Sequence, residues 1–253
     1  MEQIVHIIPL GWEIDRAVIP LRTVRPNKVY LLCNPESHPY QMHFFKQVVN
    51  QLDGQGILYK HVTVDSDSDI KGLVHHISRI IREEIEAGNR VYVNISASGK
   101  IGAVAAALAS MAHLSDNGKA YYVRPENYHT SEDDLFTHGL SMGMKADPLE
   151  IPLFRLKLPS AEGRLVLNTL KNRNGSASYQ DLFCVLARAG VDGYLEVTKQ
   201  TSRKIKGNLT VRLTKTILRP LVEAGLITIE RRGRRALVKI TEAGDYMACL
   251  VGN

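Results

Sequence analysis

From Leu209 to Gly244 the chain passes through an ordered series of local signals. A helical stretch over 208–224 stops at Gly225, and Leu226-Ile227-Thr228-Ile229-Glu230 reads as a strand. The turn Arg231-Arg232-Gly233-Arg234-Arg235 and a second strand, Ala236-Leu237-Val238-Lys239-Ile240, come next, and Thr241-Glu242-Ala243-Gly244 opens a last helix. Helix, strand, basic glycine turn, strand and capped helix in that order form a helix-turn-helix variant whose wing is a hairpin. Gly233 supplies the backbone freedom that a hairpin tip needs.

The charge distribution points the same way. Residues 1–159 carry 16 Lys/Arg against 18 Asp/Glu, whereas residues 160–253 carry 16 against 8. A net charge of +6 for the chain is therefore concentrated in its last third. A compact basic domain favours a polyanionic partner, because each neutralised phosphate releases condensed counterions. On the helix at 208–224, Leu209, Leu213, Ile217 and Leu221 form an apolar stripe, and Asn208, Arg212, Lys215 and Arg219 fall on a different side. That basic face suits a recognition helix in the major groove, although an ordinary solvated helix has the same spacing. Four arginines on one tip repel each other unless phosphates or a minor groove receive them. Double-stranded DNA is the expected partner, contacted by Asn208, Arg212, Lys215, Arg219, Arg231, Arg232, Arg234 and Arg235. Pro220 removes a helical hydrogen bond to Thr216 and predicts a kink beyond the groove-entering part. Upstream, 161–172 and 178–189 read as the domain's first two helices. The stretch 190–207 is long for a connection and is open to reading as a basic arm or a surface loop.

The first half alternates apolar, β-branched runs with helical patterns. Strands are expected at 4–8, 28–33, within 56–64, at 90–95 and at 120–123, with helices at 40–52, 69–87 and 102–114. Runs apolar on both faces and separated by helices indicate a mostly parallel sheet covered on both sides, an α/β domain. The boundaries expected are 1–148 for this domain, 149–160 for a linker and 161–253 for the α+β winged helix-turn-helix domain. The segment 149–159, with prolines at 148, 152 and 159, also reads as a final edge strand.

In such sheets ligands bind where strand ends enter helices. Two loops stand out: Pro9-Leu10-Gly11-Trp12-Glu13, and Asn94-Ile95-Ser96-Ala97-Ser98-Gly99-Lys100 before a helix of small residues. Small residues let backbone approach a ligand, helix-start amides favour phosphate, and Lys100 adds charge. The same turn also serves to pack the helix closely on the sheet through Ala105, Ala106 and Ala109. Neither loop has a dinucleotide fingerprint or a complete P-loop, which disfavours a dehydrogenase or an ATPase.

The run from Val93 through Ala107 resembles the signature of CRISPR-associated Rossmann-fold (CARF) domains, and Gly11-Trp12-Glu13 matches their other ligand-facing loop. Ser-Ala-Ser-Gly stands here where many members have Thr-Gly-Gly. Some archaeal CARF proteins carry a C-terminal winged helix, the order read here. The resemblance implies a Rossmann-like domain in an archaeal-type transcription regulator, and a homodimer binding a cyclic oligoadenylate or related nucleotide across its two-fold axis. Gly11, Trp12, Asn94, Ser96, Ala97, Ser98, Gly99 and Lys100 are the ligand-binding candidates. Two alternatives stay open: a ring nuclease that degrades its cyclic nucleotide, and a module whose wing binds RNA or protein.

No catalytic residue, metal or cofactor is assigned. The three cysteines are scattered, His75-His76 cannot chelate one metal from adjacent helix positions, and the polar cluster His129, Glu132, Asp133, Asp134 and His138 lacks ligand spacing. Trp12 reads equally as a base-stacking or a core residue. No apolar run reaches membrane-spanning length and the first residues lack signal-peptide features, so a cytoplasmic, non-membrane protein is expected.

Overall fold

A computed structural model describes residues 2–65, 68–114, 116, 118–154, 156–194, 203–232 and 235–252; of 203–206, 231, 232 and 235 the backbone alone is described. The chain divides into two units, Met1–Leu156 and Lys157–Asn253.

The first unit runs β1 (Ile4–Pro9), α1 (Asp15–Val18) with a 3₁₀ turn (Ile19–Arg22), β2 (Lys28–Cys33), α2 (Pro39–Gly54), β3 (Leu58–Thr63), α3 (Ile70–Glu86), β4 (Arg90–Asn94), α4 (Lys100–His113) and β5 (Gly118–Tyr122). It closes with β6 (Asn127–Tyr128), α5 (Glu132–His138), β7 (Ser141–Met142) and β8 (Leu149–Ile151). The main sheet has the order β3-β2-β1-β4-β5-β8, parallel except for antiparallel β8. Of the two readings of 149–159, the edge strand therefore holds for Leu149–Ile151, and the division between units falls after Leu156.

Each element has a local cause. Asp69 caps α3 by accepting the Gly72 N–H at 2.8 Å, and Leu73, Val74, Ile77, Ile80 and Ile81 are buried at helical spacing. The helix α4 packs tightly because Ala105, Ala106 and Ala109 face inward. It lies with α3 over β1, β4 and β5, while α1 and α2 bury Ala17, Phe44, Val48 and Leu52 against Ile8, Val29 and Leu31 on the other face. The chain winds from β1 outward to β3, then returns to place β4 on the opposite side of β1. The loops leaving β1 and β4 stand at the switch point of the sheet, at its carboxyl end, where sheets of this kind bind ligands.

The second unit runs α6 (Ala161–Asn172), β9 (Ser176–Ser178), α7 (Tyr179–Arg188), α8 (Arg203–Arg212), a π-helical segment (Leu213–Leu218), α9 (Arg219–Glu223), β10 (Ile227–Arg232), β11 (Arg235–Ile240) and α10 (Glu242–Val251). Its sheet, β10-β11-β9, is antiparallel throughout, and β10–β11 is the wing hairpin. Leu209, Leu213, Ile217 and Leu221 are all buried in one core with Val166, Leu170, Leu182 and Val238. The Thr-Glu-x-Gly pattern has a steric origin. Thr241 Oγ1 accepts the Gly244 N–H at 3.0 Å and donates to the Gly225 carbonyl at 2.7 Å. A Cβ on Gly244 would strike the Leu226 carbonyl, so only glycine lets α10 start there.

The helix expected at 208–224 is one run of helical segments from Arg203 to Glu223, whose hydrogen-bond register changes over Leu213–Leu218. Pro220 has no N–H to give Thr216, and the Arg219 N–H bonds the Thr214 carbonyl five residues back. Thr214 and Thr216 hydroxyls donate to the carbonyls of Thr210 and Arg212. The π segment also explains why both Ile217 and Leu218 are buried: one extra residue per turn brings two neighbours to the core face.

Candidate functional site

The two loops singled out in the sequence meet at the switch point of the sheet. The Gly11 N–H donates to the Ala97 carbonyl at 2.8 Å. A Cβ on Gly11 would lie 3.2 Å from the Ser98 Cα and 3.4 Å from the Gly99 nitrogen, so glycine sets how closely the loops approach. Gly99 precedes α4 without any side-chain cap, which leaves the first amides of a fourteen-residue helix open to an anion. Gly99 and Lys100 are exposed and Ser98 is half-buried. Helix-start amides, a hydroxyl and an ammonium group are groups whose chemistry suits a phosphate or other polar anion.

Asn94 and Ser96 have another task. Both are buried, and Asn94 Nδ2 donates to the Arg16 carbonyl at 2.8 Å while its Oδ1 accepts from the Ser96 N–H and hydroxyl at 2.8 and 2.6 Å. Ser96 Oγ in turn accepts the Val123 N–H at 3.1 Å. Their polar atoms tie the ends of β4, β5 and α1 together, and the buried Ala97 contributes its carbonyl to Gly11. Trp12 is half-buried and packs against His38, Tyr40 and Phe44, with ring centroids 5.2, 5.3 and 6.0 Å away. It belongs to the edge of the core on the α1–α2 face.

Behind these loops lies a buried charge network not read from the sequence. Glu13 accepts from the Ser141 hydroxyl at 2.8 Å and its N–H at 3.2 Å, with the Arg16 guanidinium at 3.4 Å. Arg16 also donates to the Tyr122 hydroxyl at 2.8 Å and to the Ser96 carbonyl at 3.4 Å. Burial raises the Glu13 carboxyl to about 7, against the opposing pull of Ser141 and Arg16. Asp15 accepts the Gly143 N–H at 2.8 Å and pairs with His138 Nδ1 at 2.9 Å. The first loop is thus clamped to residues 138–143. No local signal could have found this network, because its partners are separated by up to 128 residues.

The polar cluster near 129–138 is largely the start of α5. Ser131 and Asp134 form a reciprocal capping box, and Thr130 also donates to Asp134. Among the described residues no group of three or more His, Cys, Asp or Glu could hold a metal ion. Likewise, no described helix is long and apolar enough to cross a membrane.

In the second unit Asn208, Arg212, Lys215 and Arg219 are all exposed. The π segment rotates Arg219 by about one residue's step relative to Asn208 and Arg212, so the four do not share one straight stripe. Arg219 Nε also pairs with Glu223 at 2.8 Å. Arg212 lies over the Tyr194 ring, 5.7 Å from its centroid, and a Cβ on Gly193 would collide with its guanidinium. The turn 192–194 thereby orients Arg212, a contact invisible in the helix's own sequence. Arg231, Arg232 and Arg235 sit on the paired wing strands, with Arg232 opposite Arg235, and Arg234 lies outside the described residues.

Fold and site together define a Rossmann-like domain whose β1 and β4 loops meet at its switch point, joined in one chain to a winged helix. Residues 4–128 match the family model described as HFX_2341_N-like, N-terminal, and residues 162–252 match the DUF6293 C-terminal winged helix domain. The second match is to the winged helix that the fold of this unit shows. A relative, the uncharacterized protein MJ1513 of Methanocaldococcus jannaschii, is 30% identical over 129 residues, covering 48% of this chain and 38% of its own. Solved structures similar to the chain include protein VC1899 of Vibrio cholerae, with TM-score 0.42, 15% identity, 97% of this chain and 64% of that one covered. Another is Csm6 of Enterococcus italicus bound to cyclic hexa-2'-fluoro-hexa-dAMP, with TM-score 0.42, 13% identity and coverage of 88% and 57%. A third is Can2 of Sulfobacillus thermosulfidooxidans in complex with cyclic tetra-adenylate, with TM-score 0.36, 17% identity and coverage of 98% and 63%. The chain thus spans less than two thirds of each of these proteins, and likenesses this distant carry no chemistry over to it.

Proposed function

We propose that the protein is a DNA-binding transcription regulator whose N-terminal domain takes a cyclic oligoadenylate or related nucleotide and thereby alters DNA binding by the winged helix. The observation that carries this reading is the meeting of the β1 and β4 loops, through Gly11 and Ala97, beside the uncapped start of α4 and Lys100. In this reading Ser98, Gly99 and Lys100 contact phosphate, Gly11 permits the close approach, and Asn94, Ser96 and Trp12 hold the loops in place. The resemblance of 93–107 to CARF signatures supports the choice of nucleotide.

A homodimer is part of the proposal. Ile101 and Val104 lie one helical turn apart on α4, directly after Lys100, and are 37% and 49% exposed. Large apolar side chains left facing solvent beside an anion site fit a second copy of the same surface, which would bring two such sites together. On the winged helix, Asn208, Arg212 and Lys215 are assigned to the major groove and the wing arginines to phosphate or a minor groove.

Calorimetric titration with cyclic tetra-adenylate tests the sensor. Binding that is lost in Lys100→Ala and kept in Arg212→Ala supports the reading. Absence of binding to any cyclic oligoadenylate would sink the nucleotide assignment. Duplex DNA binding, measured by anisotropy, tests the other half: retention of full affinity when Arg212 and Lys215 are both replaced by Ala would overturn the assigned helix.

A further inference from the structure

Two positions on α8 hold residues that a solvent-facing helix does not favour. Val211 is 52% exposed, and Gly207, one turn before it, is exposed as well. Glycine and valine both weaken a helix relative to alanine, glycine through backbone entropy and valine through its restricted χ1. Packing calls for neither. A Cβ on Gly207 would meet no described atom within 4 Å. At ~100° per residue, Val211 projects about 160° away from Leu209 and from Leu213, both of which are buried in the core.

The surroundings of Val211 narrow what it can serve. Gly207 with Val211, and Asn208 with Arg212, are i, i+4 pairs on one face of α8, and Lys215 follows one turn later. All five are exposed. Val222, the other large apolar side chain left exposed in the described part of the second unit, stands instead beside the anionic Glu223. A branched apolar side chain set between an amide, a guanidinium and an ammonium group adds nothing to the attraction of phosphate. In the major groove of DNA, the apolar feature that a base pair presents is the thymine 5-methyl group. Duplex RNA offers neither an open major groove nor that methyl.

We propose that Val211 is a specificity-determining residue that packs on the 5-methyl group of a thymine in the major groove. Gly207 leaves the helix backbone bare on the same face, which lets the base edges come close. The inference rests on the DNA reading of the winged helix and deepens it. Arg212 and Lys215 bring charge to any duplex, whereas a methyl contact distinguishes one base from the others. Its cost in helix stability is then the reason that neither alanine nor a charged residue stands at 211.

The test begins with duplexes selected from a randomised pool by the full chain. Each thymine of the selected sequence is then replaced by deoxyuridine, which removes the methyl group and keeps the pairing edge, and affinity is read by anisotropy. Loss of one buried methyl contact should weaken wild-type binding about fourfold at one thymine position. Val211→Ala should bind the thymine and deoxyuridine duplexes equally, while Val211→Thr, which keeps a branch methyl, should retain the discrimination. Folding is not at stake in Val211→Ala, because the position is exposed and alanine is the better helix former. A selected sequence without thymine, one indifferent to deoxyuridine at every thymine, or an equal loss in Val211→Ala would each overturn the proposal and leave the DNA assignment standing. Failure to select any duplex would overturn both, and is the result expected if another protein or a second copy covers this face.

Discussion

Gly11 and Glu13 lie two residues apart and constrain the loop after β1 in different ways. At Gly11 the constraint is space. With a Cβ already at 3.2 Å from the Ser98 backbone, the branched side chain of Gly11→Val must push the β1 and β4 loops apart. We expect about a tenfold loss in cyclic tetra-adenylate affinity by calorimetry, equivalent to about 1.4 kcal/mol, with the far-ultraviolet circular dichroism unchanged. Undiminished affinity would mean that loop separation does not matter to the ligand. At Glu13 the constraint is charge. Its carboxyl titrates near 7 in the folded chain because burial opposes ionisation, against 4.5 for an unperturbed glutamate. Between those values the folded state holds a proton that the unfolded state has released. Its contribution to stability is therefore fully present below about 4.5 and is lost as pH rises through about 7. The difference between wild type and Glu13→Gln in urea unfolding should change across that window, the wild type losing ground by on the order of 3 kcal/mol. A pH-independent difference would show that Glu13 titrates normally.

At the scale of elements, strands announced themselves wherever burial on both faces demanded continuous apolar runs, as in Val29–Cys33 and Val91–Val93. Helix α3 was legible to within a residue, because its cap and its apolar spacing agree. Other elements left no such trace. Strand β9 is Ser-Ala-Ser, and it exists because β11 offers it hydrogen bonds. The π segment follows from Pro220 acting together with core packing, and sequence spacing alone presumes regular α-helix. At the candidate site, Gly11, Gly99 and Lys100 stand out from loop chemistry alone. Asn94 and Ser96 look like ligand donors in sequence, but their hydrogen bonds run inward. The Lys28–Glu84 contact was illegible for the same reason as the Glu13 network: its partners are distant in the chain. Glu84 is buried and bonds Lys28 and Tyr30 at 2.6 Å and Asn89 at 2.7 Å, joining β2 to the end of α3. Its desolvation is outweighed by these donors, so its pKa is lowered. Lys28→Met leaves that carboxylate without its counter-charge. Breaking a fully buried pair costs about 3–5 kcal/mol, and partial exposure of Lys28 reduces the expected loss to about 2–3 kcal/mol. Chemical denaturation measures it, and Lys28→Met/Glu84→Gln should recover part of the loss; no recovery would mean the cost lies in packing.

For the whole molecule, regulation requires that nucleotide binding and DNA binding share one free energy. If cyclic tetra-adenylate changes duplex affinity by some factor, duplex must change cyclic tetra-adenylate affinity by the same factor. A coupling of about 1–3 kcal/mol, or roughly 5–150-fold, is the range in which a ligand-gated regulator works. Both affinities can be measured on one preparation, by anisotropy with saturating nucleotide and by calorimetry with saturating duplex. Salt dependence separates the DNA half from the coupling. Replacing Arg231, Arg232, Arg234 and Arg235 with Ala should flatten the slope of log affinity against log salt by about 0.9 for each arginine that meets a phosphate. Nucleotide affinity in the absence of DNA should be unaffected by those four replacements, because the residues of the β1 and β4 loops belong to the first unit. Equal factors in both directions, with a flattened salt slope in the wing variant, would establish a sensor driving a DNA-binding output. Factors of one in both directions would leave two functional domains with no thermodynamic link between them, and the regulator reading would fall even if each domain bound its own ligand.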